Sequence, residues 1–527
     1  MPTQLAAPRT FQDIFQPGRV AALCHPDRLA AVATFFGMQP QRVDNCRVLE
    51  IGSWTGRNLL PMAERHPDSR FMGVDPSAER VSAAQQLAER LKLDNAEFRV
   101  APLDAIDSQL GTFDYIICHD VLSRAAPETE QALLARCREL LNPQGLVYLS
   151  FRTFPGALVP EILGDAAWQR ASTKEQSAKR VAEAREVFQV LGASLPAGAA
   201  GYRRLLRNEV EFALELNDAA VFHEYLGEQS HPFFFHELVD QAAAQQLQYV
   251  GDTDIGTMFA ASLGPEIESR LMPIVRDSTS LEQIMDFLRN RSYHRSLFCR
   301  EDVALSRHWS PTRLEEIALA GFLRHRGDDS LTADGPARFE TASGTTIASS
   351  SPPLKLALAT IGQQWPQAIA FRQLVEDVGR QLEASASGGA GLSDSDREEL
   401  GKNLIECVAN GLIEPRAAAD RFVVDVSDRP TASPWARLEA ESQREVTNRL
   451  HEPVRLDEMA HSLLQYLDGQ HDRAALLAVV QEAARTGRLS ILREGIPAGQ
   501  ETVSGQFLEQ ALDQALTGLA RSALLVA

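Results

Sequence analysis

The stretch Val48-Leu49-Glu50-Ile51-Gly52-Ser53-Trp54-Thr55-Gly56 decides the fold of the first half of this chain. It reads as an apolar strand that enters a glycine turn, and a helical segment follows. The next strand-like run, Phe71-Met72-Gly73-Val74, ends on Asp75. Asp75 comes about 20 residues after the last glycine, the spacing at which a carboxylate meets a ribose in dinucleotide folds. The stretch therefore predicts a site for a cofactor that contains a nucleoside.

The side chains of the turn argue against a dinucleotide. A dinucleotide-binding turn has glycine where the backbone meets the pyrophosphate, but Trp54 fills the middle position and Arg57 the last. Glu50, at the carboxyl end of the strand, repels a pyrophosphate and attracts a cation. This combination favours S-adenosylmethionine, which carries an ammonium and a sulfonium. Trp54 then stacks on the cofactor, caps the pocket from outside, or fills the pocket of a degenerate enzyme.

Strand-like and helix-like segments alternate from residue 47 to residue 151. Such alternation predicts an α/β fold with a mostly parallel sheet and helices on both faces. Ligands of these sheets bind beyond the carboxyl ends of the strands, where Glu50, Asp75, His119 and Arg152 lie. A polar helical stretch at about 156–230 is predicted to be an insertion between two strands of this sheet.

The pattern predicts four segments along the chain. They are an N-terminal helical segment (1–44), a cofactor-binding domain with the insertion (45–302), a winged-helix-like domain (303–428) and a small helical C-terminal module (429–527). The winged helix is inferred from three helix-like runs followed by short strands, expected at 412–415 and 422–426. Its third helix opens Asp394-Ser395-Asp396, and this negative charge counts against a DNA-binding regulator.

The composition of the 527 residues bounds the partners of the protein. A formal net charge of −19 is unlike the basic footprint of a nucleic-acid binder. Six cysteines lack CxxC pairing, and His223-Glu224 and His236-Glu237 lack a second histidine at the spacing of a zinc protease. No export signal and no bilayer-spanning stretch is visible. We expect a cytoplasmic protein without a nucleic-acid partner, a membrane partner or a metal.

The run from Val48 to Phe151 resembles a class I S-adenosylmethionine-dependent methyltransferase, whose seven-stranded fold is Rossmann-like. A narrower resemblance covers nearly the whole chain. It is similar to bacterial methyltransferases that carry the methyltransferase regulatory domain, a group that includes the rickettsial protein-lysine methyltransferases. The segments that carry this resemblance are His25–Leu29, Asn58–Met62, Phe113–Ile116, Phe222–Leu226, Phe235–Leu238, Leu247–Tyr249, Leu467–Gly469 and Asp472–Leu476.

The resemblance implies where the cofactor lies: its methionine part against Glu50, Gly52 and Gly56, its ribose on Asp75, and its adenine near Pro102 and Leu103. The full set of expected cofactor contacts is Glu50, Gly52, Ser53, Trp54, Gly56, Asp75, Pro76, Pro102, Leu103 and His119. The expected catalytic residues are His119 and Arg152. We expect a substrate-facing lid formed by His223, Glu224, Tyr225, Phe235 and His236.

The function implied is methylation of a side-chain nitrogen of a protein substrate, lysine in particular, by a chain that is able to oligomerise. His119 either deprotonates the substrate nitrogen or is a hydrogen-bonded histidine of the pocket wall. The alternative is a catalytically inactive methyltransferase fold that acts as an interaction scaffold or cofactor sensor. That alternative is motivated by departures from the family at Trp54, Leu122, Arg124, Arg152 and Ala157.

Overall fold

The computed structural model describes residues 21–527 apart from 173–175, 199, 228–229, 334, 386–391, 487–488, 490–491, 494–495 and 498–504. Residues 1–20 of the expected N-terminal helical segment lie outside the described residues. The rest of that segment contains one α-helix, α1 (Pro26–Phe35). His25 is its N-cap residue, and the His25 side chain accepts a hydrogen bond from the Asp27 backbone N–H. In the described part of the chain no helix is both long and apolar enough to cross a bilayer.

A seven-stranded sheet organises the first 300 residues. Its strands are β1 (Arg47–Ile51), β2 (Arg70–Asp75), β3 (Ala96–Val100), β4 (Phe113–Cys118), β5 (Leu141–Arg152), β6 (Leu247–Asp252) and β7 (Tyr293–Arg300). The order across the sheet is β3-β2-β1-β4-β5-β7-β6, with β7 antiparallel to both of its neighbours. The chain reverses its direction of winding between β1 and β4, and ligands bind at such a switch point. The predicted α/β fold class is confirmed.

The sheet carries buried apolar side chains on both of its faces, which explains why helices pack on both faces. Val48 and Leu49 alternate between two separate core clusters, and both side chains are fully buried. A strand that is apolar on both faces is stable only between two helical layers. The helices of this half that follow α1 are α2 (Leu59–Arg65), α3 (Ala78–Leu91), α4 (Pro127–Leu140), α5 (Leu158–Ala171), α6 (Ser177–Ser194), α7 (Tyr202–Glu215), α8 (Asp218–Val221), α9 (Phe235–Ala244), α10 (Pro265–Leu271) and α11 (Ser278–Arg289).

The helical insertion lies between β5 and β6, as the sequence predicts. It consists of α5 to α8 and a π-helix, Phe222–Leu226. The insertion has a hydrophobic core of its own, to which Leu163, Phe188 and Val210 contribute. With a core of its own, the insertion packs as a separate unit beside the carboxyl ends of the strands.

Residues 303–428 contain the three helices that the sequence predicts. These are α12 (Pro352–Gln364), α13 (Phe371–Ser385) and α14 (Asp394–Ala409), and they accompany β8 (Ala318–Ala320), β9 (Leu323–Arg326), β10 (Ala337–Thr341), β11 (Thr346–Ser349), β12 (Ile369–Ala370) and β13 (Glu414–Arg416). The strand expected at 422–426 is wrong. Phe422 instead packs under the guanidinium of Arg65, 4.8 Å from its ring centre, and the segment pairs with no neighbouring strand.

The C-terminal module is not purely helical, which corrects the expectation. Besides α15 (Pro434–Glu439), α16 (Glu458–Leu464), α17 (Arg473–Arg485) and α18 (Gly505–Arg521), it contains two antiparallel strand pairs, β14 (Glu445–Thr447) with β15 (Pro453–Arg455) and β16 (Leu492–Arg493) with β17 (Ile496–Pro497). The module packs on α2, where Glu64 accepts hydrogen bonds from the Ser433 hydroxyl (2.7 Å) and the Trp435 backbone N–H (2.8 Å).

Candidate cofactor site

A cavity of about 450 Å³ opens at the switch point between β1 and β4. This volume is within the usual range for a site that holds a small molecule. Its walls come from the glycine turn, the end of β4, the start of β7 and the helical insertion. The lining residues are Glu50, Gly52, Ser53, Trp54, Asn58, His119, Asp120, Arg124, Phe212, Leu216, Ala220, His223, Glu224, Ser292 and Tyr293.

Glu50 is the electrostatic centre of the cavity. Its Oε1 accepts a hydrogen bond of 2.7 Å from the side-chain amide of Asn58. Its Oε2 is buried and has no hydrogen-bond partner among the described residues. Burial raises the pKa of the carboxyl group to about 8. A buried oxygen without a partner, in the wall of a cavity, suits a ligand that brings a positive hydrogen-bond donor.

The glycines of the turn are required by close packing and by backbone conformation. Gly52 has φ +77°, and a Cβ there would lie 2.5 Å from Cγ2 of Val121. Gly56 has φ +72°, and a Cβ there would lie 2.6 Å from the ring of Phe98. Both φ values belong to the left-handed region that glycine adopts readily. The turn therefore keeps the backbone exposed to the cavity at Gly52.

Trp54 covers Asp75 at the rim of the cavity and does not fill it. The Trp54 backbone N–H donates to Asp75 Oδ2 over 3.0 Å, and the Arg80 guanidinium lies 3.9 Å from the centre of the indole. Arg80 is also 3.7 Å from Asp75 Oδ1, and the His223 ring meets the indole edge to face at 5.1 Å. The indole and Arg80 thus close the approach to Asp75, and which of the three expected roles Trp54 has toward the cofactor stays a prediction.

Of the expected adenosine contacts, Asp75 lies against Trp54. Asp75 is 1% exposed, and its Oδ1 also accepts a hydrogen bond of 2.9 Å from the Ser77 backbone N–H. Asp75, Pro76, Pro102 and Leu103 are not among the residues that line the cavity. The open cavity therefore corresponds to the part of the expected site that would hold the methionine end of the cofactor. The part expected to hold the ribose is closed.

The opposite end of the cavity is a hydrogen-bonded group on β4, β5 and β7. His119 Nδ1 lies 3.1 Å from the Ser150 hydroxyl, which accepts a bond of 2.8 Å from the Asp120 backbone N–H. The Asp120 carboxylate accepts a hydrogen bond from the Tyr293 hydroxyl and pairs with Arg124 at 2.8 Å. Burial lowers the pKa of His119, so its imidazole is neutral at pH 7.

Arg152 does not lie in the wall of this cavity, which corrects its placement as a catalytic residue. Its guanidinium is buried between two carboxylates of the insertion, Glu161 at 3.1 Å and Glu224 at 2.7 Å. These residues border a separate, smaller cavity of about 70 Å³. The side chain of Arg152 is long enough to reach the insertion, where two opposite charges compensate the cost of its burial. It ties the insertion to β5.

The expected lid is correct only in part. His223 and Glu224 line the cavity, whereas the Tyr225 hydroxyl donates to Glu209 over 2.6 Å inside the insertion. Phe235 and His236 are wrong as lid residues. Phe235 is fully buried and stacks on His294 at 4.4 Å beneath the sheet, and His236 bonds to Gln283.

Several residues of the site escaped the sequence reasoning. They are Asn58, Phe212, Leu216, Ala220, Ser292 and Tyr293. Tyr293 begins β7, and because β7 is antiparallel, its first residue meets the carboxyl ends of the parallel strands. Knowing the sheet order would have placed Tyr293 at the site, but the local pattern around it gives no such signal.

Three family models match the chain. A methyltransferase domain matches residues 49–147, a predicted methyltransferase regulatory domain matches 217–300, and the PKMT C-terminal winged helix domain matches 428–524. The chain is a class I S-adenosylmethionine-dependent methyltransferase. The winged-helix match falls on the module expected to be helical, and a winged-helix-like fold for 303–428 stays a prediction.

The methyltransferase is similar over nearly its whole length to rickettsial proteins. It is 26% identical to the uncharacterized protein RP789 of Rickettsia prowazekii (strain Madrid E) over 513 residues, 96% of this chain and 91% of that protein. Its fold matches PKMT2 from Rickettsia typhi in complex with AdoHcy with a TM-score of 0.87 and 24% identity, over 97% of this chain and 100% of that one. At this identity the structural match shows that the two proteins share a fold.

The residues of the cavity fit S-adenosylmethionine, the cofactor of this class. The free Oε2 of Glu50 suits the cofactor's ammonium, and Gly52 leaves room for a close approach of the ligand to the backbone. Glu50 argues against an anionic cofactor, because a carboxylate in the wall repels it.

Proposed function

We propose that this methyltransferase modifies a side-chain nitrogen of a protein and that the acceptor is lysine. The observation that carries the proposal is the composition of the cavity wall. Phe212, Leu216 and Ala220 provide an apolar side, and the ring of Phe212 is 52% exposed. Asp120 and Tyr293 provide a polar end. A lysine side chain matches this arrangement, because its aliphatic part suits the apolar side of the cavity and its amine suits the polar end.

The proposed cofactor contacts follow from the same wall. Bound S-adenosylmethionine supplies a methyl group on a positively charged sulfur, so its carbon needs no further activation. Glu50 holds the ammonium through Oε2, and the turn from Gly52 to Gly56 gives backbone contacts. We assign the ribose to Asp75 and the adenine to the surface of Pro76, Pro102 and Leu103. For the ribose to reach Asp75, the indole of Trp54 and the guanidinium of Arg80 must move aside.

The residues at the polar end are proposed to manage the proton of the acceptor. A lysine is protonated at neutral pH and becomes a nucleophile only after it loses that proton. The neutral imidazole of His119 accepts it. The Asp120 carboxylate, held by Tyr293 and Arg124, orients the amine toward the cavity. Most of the rate enhancement comes from placing the nitrogen in line with the methyl group.

The alternative of an inactive scaffold is not favoured. One of its motives was that Trp54 could fill the pocket, but the cavity beside Trp54 is open. The arginines at 124 and 152, which depart from the family, are each paired with carboxylates. Neither arginine therefore leaves an uncompensated positive charge beside the cofactor.

The test is methyl transfer to protein followed by mapping of the modified residue. The purified enzyme is incubated with labelled S-adenosylmethionine and a protein extract of its source organism, and the labelled residue is identified by mass spectrometry. We expect methyl-lysine, and we expect His119→Ala to lower the rate while binding of S-adenosylhomocysteine is retained. Label found only on carboxylates, arginines or small molecules would contradict the acceptor.

A further inference from the structure

The C-terminal module reaches the cofactor site through the tip of one hairpin. His451 lies in the turn between β14 and β15, where the Asn448 backbone N–H donates to the Glu452 carbonyl over 2.9 Å and closes the turn. His451 is 2% exposed, and its Nε2 lies 2.9 Å from Oδ1 of Asn58. Asn58 in turn donates to Glu50, a residue of the cavity wall whose Oε2 has no hydrogen-bond partner among the described residues.

Hydrogen bonds at both ends of the amide fix the side chain of Asn58. Its Oδ1 accepts from His451 Nε2 and from the Ala21 backbone N–H at 3.0 Å. Its Nδ2 donates to Glu50 Oε1 at 2.7 Å and to the Cys24 sulfur at 3.2 Å. Because an amide oxygen only accepts, the His451 atom that faces it carries the hydrogen. With the oxygen held by two donors, both N–H groups are directed to Glu50 and Cys24.

We infer that His451 is a positioning residue of the cofactor site, which acts through Asn58 to hold the Glu50 carboxylate in place. The C-terminal module therefore supplies a contact of the cofactor site that residues 45–302 do not supply by themselves. The inference rests on the proposed role of Glu50 in binding the cofactor. It assigns to the C-terminal module a contribution to cofactor affinity, beyond any role in recognising the protein substrate.

The charges around this chain of contacts agree with that role. His451 is surrounded by His25 (5.2 Å between ring centres), His66 and Arg65, and burial lowers its pKa to about 3. The imidazole of His451 is therefore neutral between pH 6 and 9 and donates a hydrogen bond to Asn58 throughout this range. The titratable groups that face Glu50 are Asp75, Cys24 and Cys118, and Asn58 supplies the hydrogen bond that favours its ionised form. Loss of that bond raises the pKa of Glu50 further.

The hairpin tip is also anchored so that it can hold Asn58. Arg65 on α2 donates to the Arg449 carbonyl, and the Arg449 backbone N–H donates to the Ala523 carbonyl over 2.9 Å. The tip is thus held from both sides, by the helix that follows the glycine turn and by the end of the module. A change at residue 451 is expected to act locally.

The experiment compares three variants. His451→Phe keeps a ring but removes the donor, and His451→Gln keeps a donor in a similar place. Residue 451 has φ +63°, so both substitutions carry the same backbone strain and it cancels in their comparison. His66→Phe is the matched control, because His66 is a buried neighbour whose Nε2 has no partner within the described ranges and which forms no hydrogen bond with Asn58 there.

Two quantities are measured on the full chain. The first is the Kd for S-adenosylhomocysteine by calorimetry between pH 6 and 9. The second is the titration of Glu50 without cofactor, read from the pH dependence of the melting temperature relative to the same variant carrying Glu50→Gln. We expect His451→Phe to weaken binding about tenfold at pH 7 and to move the titration of Glu50 to higher pH. We expect His451→Gln to restore both and His66→Phe to lower only the melting temperature.

The outcomes separate this inference from the proposed function. If Glu50 titrates at the same pH in His451→Phe and in the wild type, His451 does not position it and the inference is wrong, whatever the cofactor does. If Glu50→Gln binds S-adenosylhomocysteine as tightly as the wild type, the proposed role of Glu50 fails, and the proposed coupling of the module to cofactor affinity fails with it. A Glu50 titration that moves in His451→Phe and returns in His451→Gln supports the contact itself in either case.

Discussion

Replacing Glu50 by glutamine is expected to stabilise the cofactor-free protein while it weakens cofactor binding. The buried carboxyl has a pKa of about 8 in the folded protein, against an ordinary value of 4.5. Between these two pH values the folded protein keeps the proton and the unfolded chain has lost it. The folded state is therefore penalised increasingly as the pH rises from 4.5 to 8, and the penalty is constant above that. Glutamine is neutral at every pH and removes the penalty.

The magnitude follows from the distance between the two pKa values. At pH 7 the carboxyl is 2.5 pH units above its ordinary pKa of 4.5, and 1.36 kcal/mol per unit gives a penalty of about 3 kcal/mol. The cofactor has the opposite preference, because its ammonium binds the ionised carboxylate. A hydrogen bond to a charged group contributes about 1.5 to 3 kcal/mol, so affinity is expected to fall by about tenfold to a hundredfold.

The assay is calorimetry of the wild type and Glu50→Gln at pH 5, 6, 7 and 8, with titration of S-adenosylhomocysteine at each pH. The melting temperature of the variant should exceed that of the wild type by a margin that grows with pH. Glu130→Gln is the matched control. Glu130 is a buried carboxyl on α4 with a pKa raised by burial to about 7, and it is not among the residues that line the cavity. It should stabilise the protein without changing the Kd.

A margin that does not change with pH would refute the assignment of a protonated Glu50 to the free protein. An unchanged Kd in Glu50→Gln would refute its contact with the cofactor. The two results are independent, since the first concerns the empty site and the second the ligand. The lower stability of the wild type and its tighter binding have the same structural origin, a buried carboxylate that becomes paired only when the cationic ligand binds. Functional sites often reduce the stability of a protein in this way.

Three further predictions concern the walls of the cavity. Trp54→Gly relieves a left-handed backbone (φ +51°) and uncovers the ribose end, so we expect faster cofactor association in stopped-flow measurements; slower association would show that the indole is itself a cofactor contact. Tyr293→Phe removes one donor to Asp120 and should lower kcat about tenfold with an unchanged Kd for S-adenosylhomocysteine; an unchanged kcat would exclude a role of the Tyr293 hydroxyl in positioning Asp120. Gly52→Ala places a Cβ 2.5 Å from Val121 and should lower the melting temperature, and Val121→Ala should restore part of the loss; no rescue would assign the loss to backbone strain alone.

The sequence predicts the parts of the site that lie along one short stretch of chain. Glu50, the glycines and Trp54 belong to a single strand and turn, so their relative positions follow from local geometry. His119 is predicted equally well, because it ends the strand that the topology places beside β1. In these cases one regular element fixes both the position and the direction of the side chain.

The errors arise where a side chain depends on the whole fold. Phe235 and His236 begin a helix, and nothing local tells whether that helix faces the cavity or the far side of the sheet. Arg152 ends the correct strand, but its long side chain follows the carboxylates of the insertion. Tyr293 and His451 enter the site from distant parts of the chain, through an antiparallel strand and a hairpin of another module.

The contact between Asn58 and His451 spans 393 residues of sequence. All seven strands of the sheet lie within residues 47–300, so they are synthesised before the hairpin that carries His451. The carboxylate that receives the cofactor, however, acquires its final support only after the hairpin at residue 451 has emerged. A chain that ends before this hairpin keeps the seven strands and Glu50 but lacks the contact from His451. Such a chain would bind the methyl donor more weakly than the full chain.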